Sequence, residues 1–283
     1  MAANNPIRNI CLVLRYDGTA YHGWQSQKNA LSVQDILQNC IRGTTGEPLL
    51  RGLYGCGRTD AGVHALCYVA NFHSRTAIPA EKLPFALNAH LPHDIRVMHA
   101  LDAPPEFHAR FSCTRKEYLY RMAVGPHMDP FRRNVCMHVP LMPDVAAMQA
   151  AAARFVGRHD FSAFRNMGSA VRDPVRTLYR CEVESCGDEI RLSVSADGFL
   201  YNMVRVITGT LLAVGRGKLT PEDIDALFLG RRREDSGMTV PPEGLSLARI
   251  WYDDFDFYPH AVIPDRIRAK TATEGEIHGN ETL

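Results

Sequence analysis

The sequence predicts an α+β fold. Short apolar and aromatic stretches of strand character alternate with segments of helical periodicity. Few of the connections suit the crossovers that parallel strands need, so the pattern reads as an α+β layer rather than a doubly wound sheet. The later part of the chain repeats the order of elements of the earlier part loosely, with no short internal repeat. A length of 283 residues suits about two domains, each with its own core. The expected division is an N-terminal α+β half over 1–110 and a C-terminal α+β half over 111–258. The polar stretch 259–283 is expected to be a mobile tail.

Ile10 to Tyr16 alternates as a first strand. Ser32 is placed to cap a helix, with Asp35 in the capping-box position and Val33, Ile36, Leu37 and Ile41 on one face. Gly46 and Pro48 close it. Ala65 to Phe72 is a second strand. Pro79 opens a helix through Leu83, Leu87 and Asn88, and Ile95 to Leu101 is a strand. In the second half, Tyr118 to Val124 is a strand, and Pro143, Val145, Met148 and Ala152 mark a helix ending near Gly157. Leu178 to Glu184 and Ile190 to Ser195 form a hairpin about Gly187-Asp188. Tyr201 to Val214 is a long apolar helix that opens with Asn202 and carries Arg205. Thr220-Pro221 starts another, with threonine as cap and proline in the first turn. Ala248 to Tyr252 is the last strand.

Gly55 to Ala65 is the stretch around which the chain is organised. It holds three glycines, one arginine and one carboxylate in eleven residues. Asp60 falls on a tight, exposed loop two residues after Arg58 and at the mouth of a strand. That is a plausible site for a catalytic carboxylate. On local chemistry alone the commoner use of such a stretch is an ordinary turn, with Asp60 bonding its own backbone. It is neither a P-loop nor a dinucleotide fingerprint, since Gly-Lys-Ser/Thr and Gly-x-Gly-x-x-Gly are both absent.

Composition narrows the classes. No apolar run reaches the roughly eighteen residues of a membrane span, and the first residues lack the pattern of a secretory signal, so the expected place is the cytoplasm. Eight cysteines contain no Cys-x-x-Cys pair. Cys11, Cys40, Cys67, Cys113 and Cys136 read as small buried thiols. Cys181 and Cys186 flank the predicted hairpin and are expected to stay free in a reducing cytosol. His90 and His93 have no third ligand and Pro92 intervenes, so no metal is assigned. Net charge is +1, but arginines outnumber lysines 27 to 5. Guanidinium suits phosphate and base stacking; a GC-rich genome gives the same bias. Arg165, Arg172, Arg176 and Arg180 form one cluster and Arg231, Arg232 and Arg233 another, each a candidate backbone-tracking patch or a solvated face.

The motifs resemble those of the tRNA pseudouridine synthase A (TruA) family. Gly57-Arg58-Thr59-Asp60-Ala61-Gly62-Val63-His64-Ala65 resembles its active-site loop, and Tyr16 to Gln25 its N-terminal motif. Further likenesses are Leu91 to Val97, Phe107 to Arg110 running on to Tyr118-Leu119-Tyr120, Gly157 to Phe164, Gly198 to Arg205 and Pro242 to Leu247. They run in order from about Ile10 to Tyr252. Two places depart from the pattern: Cys56 stands where alanine is expected, and Thr239-Val240-Pro241 replaces a shorter Ala-Pro run. Neither touches the carboxylate.

The resemblance implies a pseudouridine-synthase-like fold, two α+β halves sharing a mainly antiparallel sheet with a central cleft. It implies a homodimer that binds the tRNA anticodon stem-loop and isomerises uridines at positions 38 to 40. It makes Asp60 the catalytic carboxylate, Arg205 its ion-pair partner, Tyr118 the ring that stacks on the target uracil, and Arg58 a contact to the flipped nucleotide and its phosphate. Taken alone, Tyr118 reads as a core aromatic and Arg205 as a snorkelling helix arginine. The reaction exchanges an N1–C1′ bond for a C5–C1′ bond and needs no cofactor. Asp60 could attack C1′, add to C6, or take a proton from C2′. Two further classes stay open: a nucleoside hydrolase using Asp60 with a second acid, and a non-enzymatic RNA-binding module.

Overall fold

In the computed structural model, which describes residues 5–166, 168, 172–230 and 232–253, the chain opens with strand β1, Arg8–Tyr16. Helix α1 (Val33–Thr45), β2 (Leu53–Gly55) and β3 (His64–Ser74) follow. A 3-10 turn at Ala80–Lys82 runs into α2 (Leu83–Asn88), and β4 (Ile95–Ala103) comes next. The later part carries β5 (Cys113–Val124), β6 (Met137–Val139), α3 (Val145–Ala153) and β7 (Gly157–Asp160). It ends with β8 (Val175–Cys186), β9 (Glu189–Ala196), α4 (Met203–Gly215), α5 (Pro221–Phe228) and β10 (Leu245–Tyr252).

These strands form one sheet in the order β4-β1-β3-β10-β5-β9-β8-β7, with β2 beside β3 and β6 beside β5. Among the described residues the pairings are antiparallel except β10 with β3 and β5 with β6. The predicted α+β class is therefore the observed one. The strand latest in sequence, β10, lies between β3 and β5. It joins the early strands to the later ones, and this seam positions the site.

The helices form for the reasons the sequence offers. Ser32 Oγ accepts the Asp35 N–H at 3.1 Å, and Val33, Leu37 and Ile41 are buried beneath α1. Gly46 ends that helix in the left-handed region, with φ at 68°. Thr220 and Asp223 close a reciprocal capping box on α5. Helix α4 is buried on nearly all sides, as a helix apolar all round should be. Its Thr208 and Thr210 hydroxyls donate to the carbonyls of Val204 and Val206, each at 2.8 Å, so no buried hydroxyl is left unsatisfied there.

Several expectations need correction. Three short strands, β2, β6 and β7, were not foreseen, because three or four residues cannot show a period. Pro79 opens the 3-10 turn rather than α2 itself. Cys181 and Cys186 do not flank the hairpin. Both lie on β8, one buried and one exposed, on opposite faces of the strand. Cys40 and Cys113 are only half-buried. The 259–283 tail and Arg231 lie outside the described residues. Among the described residues no helix is long and apolar enough to cross a membrane.

Candidate active site

The loop between β2 and β3 is clamped from two sides. From the N-terminal side, the Trp24 N–H donates to the Thr59 carbonyl at 3.3 Å and the Gly62 N–H to the Tyr21 carbonyl at 3.1 Å. Glycine is required for this approach: a Cβ on Gly18 would lie 2.0 Å from the Val63 oxygen, and one on Gly23 2.1 Å from the Thr59 oxygen. From the other side, Pro242 lies beneath Gly62, and His64 Nε2 meets the Glu243 carbonyl at 3.1 Å. His64 Nδ1 lies 3.0 Å from the Gly18 nitrogen and 3.1 Å from Asp17 Oδ1. Thus the Tyr16–Gln25 and Pro242–Leu247 stretches, far apart in sequence, are the two jaws that hold one loop.

Within the loop, the Val63 N–H donates to the Asp60 carbonyl at 3.1 Å, and Gly62 takes φ +77°. That is a tight turn with glycine where φ must be positive. The backbone of Asp60 makes this turn, but its carboxylate makes no hydrogen bond among the described residues. The side chain is 29% exposed and Thr59 beside it is buried, so the loop is half-buried and not the exposed loop expected.

The Asp60 carboxylate faces α4. Its Oδ2 is 4.0 Å from Nη1 of Arg205, in the first turn of that helix. Arg205 is fixed by other partners: Nε donates to the Val240 carbonyl at 2.7 Å, and Nη1 to Asn202 Oδ1 at 2.7 Å. Asn202 is the residue before α4 and sits in the left-handed region at φ 60°, with no capping hydrogen bond from its side chain. Its amide serves the arginine instead. Backbone held in a sparsely populated region is a mark of functional constraint. Burial pushes the Asp60 carboxyl above its ordinary value, and the Arg205 charge opposes the rise. The Thr239–Pro241 departure is thus not remote, since Val240 grips the arginine.

Tyr118, on β5, is buried, with its ring 4.9 Å from Phe199 and nearly perpendicular to it. Burial raises its phenol strongly, and the charges of Cys56 and Asp60 add to the rise; Leu247 of β10 pairs with Tyr118 on one side and with Ala65, five residues after Asp60, on the other. The structure therefore brings Asp60, Arg205 and Tyr118 together at the β3–β10–β5 seam. Arg58 is exposed and forms no hydrogen bond or ion pair among the described residues. Sequence reasoning missed Asn202 and Val240 as holders of Arg205; the positive φ and the carbonyl contact have no side-chain signature.

The arginine clusters divide. Arg180 is engaged by Glu117 and Glu182, and Arg233 by Asn166, Ser236, Gly237 and Thr239, so both serve the fold. Arg176 donates to the carbonyls of Asp173 and Val175 and also lines a polar cavity of about 450 Å³ with Arg158, Asp173, Thr177, Asp197 and Gly198.

A family model described as tRNA pseudouridine synthase matches residues 12–112 and 151–253. The chain belongs to this family. The matched residues include Arg58, Asp60 and Arg205. The tRNA pseudouridine synthase A of Thermoanaerobacter sp. (strain X514) is 47% identical over 246 residues, covering 87% of this chain and all of that one. That of Ruminiclostridium cellulolyticum is 45% identical over 247 residues, with the same 87% coverage and all of its own length. Among solved structures, the archaeal box H/ACA sRNP Nop10-Cbf5 complex is similar over 72% of this chain and 44% of that chain, at 14% identity and a TM-score of 0.31. Membership of the family, shown by the family model and these relatives, gives the chain the pseudouridine-synthase fold.

Proposed function

We propose that this protein converts uridine to pseudouridine in the anticodon arm of tRNA, at positions 38 to 40, with Asp60 as the catalytic carboxylate. As a member of the tRNA pseudouridine synthase family it is an isomerase acting on tRNA. The positions follow from the likeness to tRNA pseudouridine synthase A, and the role of Asp60 is carried by one observation: a half-buried carboxylate without hydrogen bonds faces a pinned guanidinium 4.0 Å away.

The target base is stacked in the arm and must be flipped out to react. Tyr118 would receive the flipped uracil on its ring, which Phe199 braces edge-on. Arg58, exposed beside the site, would contact the nucleotide's phosphate. Arg205 favours the ionised form of Asp60, while burial makes that carboxylate a stronger base and nucleophile than in water. Attack on C1′, addition to C6 and removal of the C2′ proton all begin from this ionised group. In each route N1–C1′ breaks, C5–C1′ forms, and the proton on C5 leaves to solvent while N1 gains one.

The relatives at 45–47% identity are tRNA pseudouridine synthases A, which favours isomerisation over a hydrolase built on paired acids. The reading includes a homodimer working in the cytoplasm, with one tRNA touching both subunits. Mass spectrometry of the treated tRNA, read with carbodiimide mapping of pseudouridine, tests it: the mass should stay unchanged and the carbodiimide adducts should fall at 38 to 40, whereas free uracil would reject it.

A further inference from the structure

Lys116 leaves β5 two residues before Tyr118, so the two side chains project from the same face of the strand. Its ammonium rests on the Asp60 loop: a Cβ built on Gly57 would lie 2.9 Å from Nζ. The side chain is half-buried. The thiols of Cys56 and Cys113 lie close enough to feel its charge, but burial holds both in the neutral form. Among the described residues the ammonium makes no hydrogen bond and no ion pair. Arg58, next to Gly57, is likewise without a partner among them. A half-buried cation lacking a counter-charge is costly in the free protein, and an arriving anion would relieve that cost.

We propose that Lys116, seated over the bare Cα of Gly57, is a phosphate subsite that binds a non-bridging oxygen of the RNA backbone at the flipped nucleotide. The subsite rests on the reading of this protein as a tRNA uridine isomerase. The Cα atoms of residues two apart on a strand are about 7 Å apart, so side chains from Tyr118 and Lys116 can address the base and the phosphate of one nucleotide. Gly57 is part of the subsite because any side chain there would displace the ammonium. Its absent Cβ meets only Lys116.

Steady-state kinetics on tRNA at several salt concentrations tests this, using Lys116→Met, Lys116→Arg and Gly57→Ala. Lys116→Met is expected to raise KM about tenfold, with the loss falling on KM rather than kcat. It should also flatten the slope of log KM against log salt by about one phosphate's worth, roughly 0.7 to 0.9. Lys116→Arg should restore most of both. Gly57→Ala should weaken binding in the wild-type background and add little in the Lys116→Met background, since both act through one contact. An unchanged salt slope, or a loss confined to kcat, overturns the proposal. Wild-type turnover separates this failure from that of the broader reading: a wild type forming no pseudouridine rejects the reading itself.

Discussion

Asp60 and Arg205 face one another at 4.0 Å, and the arginine is held there by groups other than the carboxylate. Its Nε and Nη1 hydrogen bonds go to Val240 and Asn202. On the proposed reading, the cation is thus placed before substrate arrives, and the carboxylate keeps its lone pairs free for chemistry.

Asn202 therefore carries a testable role. Glycine tolerates φ 60° but offers no Oδ1 to Arg205. Asn202→Gly is expected to lower kcat about tenfold, the scale of one charge-assisted hydrogen bond, with little change in thermal midpoint. Arg205→Leu should lower kcat further while affecting tRNA affinity less. Comparing kcat, Kd and melting curves checks both.

The clamp on the loop makes a second prediction. Gly23→Ala would bring a Cβ to 2.1 Å from the Thr59 carbonyl at φ +81°. Overpacking and backbone strain together are expected to cost about 2–4 kcal/mol, with activity lost as the Asp60 loop shifts. Gly46→Ala has a similar positive φ, but nothing lies within 4 Å of its added Cβ. It should cost only about 1 kcal/mol and leave activity intact. Urea midpoints and tritium release separate the two.

The pH dependence of stability divides between two carboxyls. Glu189 receives hydrogen bonds from Arg121, Arg132 and Arg191 and is held down from 4.5 to about 2, against the push of burial. A depressed carboxyl contributes stability fully present above its unfolded value and lost as pH falls through 4.5 toward 2. Glu189→Gln should cost about 2–3 kcal/mol at neutral pH, a difference that shrinks toward zero at pH 2. Asp60 has the opposite sign, since its carboxyl is raised. The folded state resists its ionisation, so stability from this group falls as pH rises through the carboxylate range. Asp60→Asn should therefore be no less stable than the wild type at neutral pH and should compare best there. Urea melts from pH 3 to 7 check both signs.

What could be read from the sequence was local. Ser32 with Asp35 announced α1, and the apolar run after Asn202 announced α4. The Asp60 loop stood out by its glycines and the motifs flanking it. What could not be read was made by pairing. Arg121 and Arg191 sit directly opposite on β5 and β9, and only that register shows that Glu189 neutralises them. β7 carries Gly157-Arg158-His159-Asp160, whose polar residues give no strand signal; it is a strand because it is an edge paired with β8. Arg233, read as part of a basic patch, is instead held by Asn166 and Thr239. Charge clustering along a chain does not reveal which guanidinium groups the fold will engage.

The most direct measurement is C5 tritium release from labelled tRNA by Asp60→Asn, run beside its tRNA Kd. The asparagine keeps the shape of the side chain and removes the charge. The account predicts tRNA binding within a few-fold of the wild type and no detectable release. Release near the wild-type rate would contradict it.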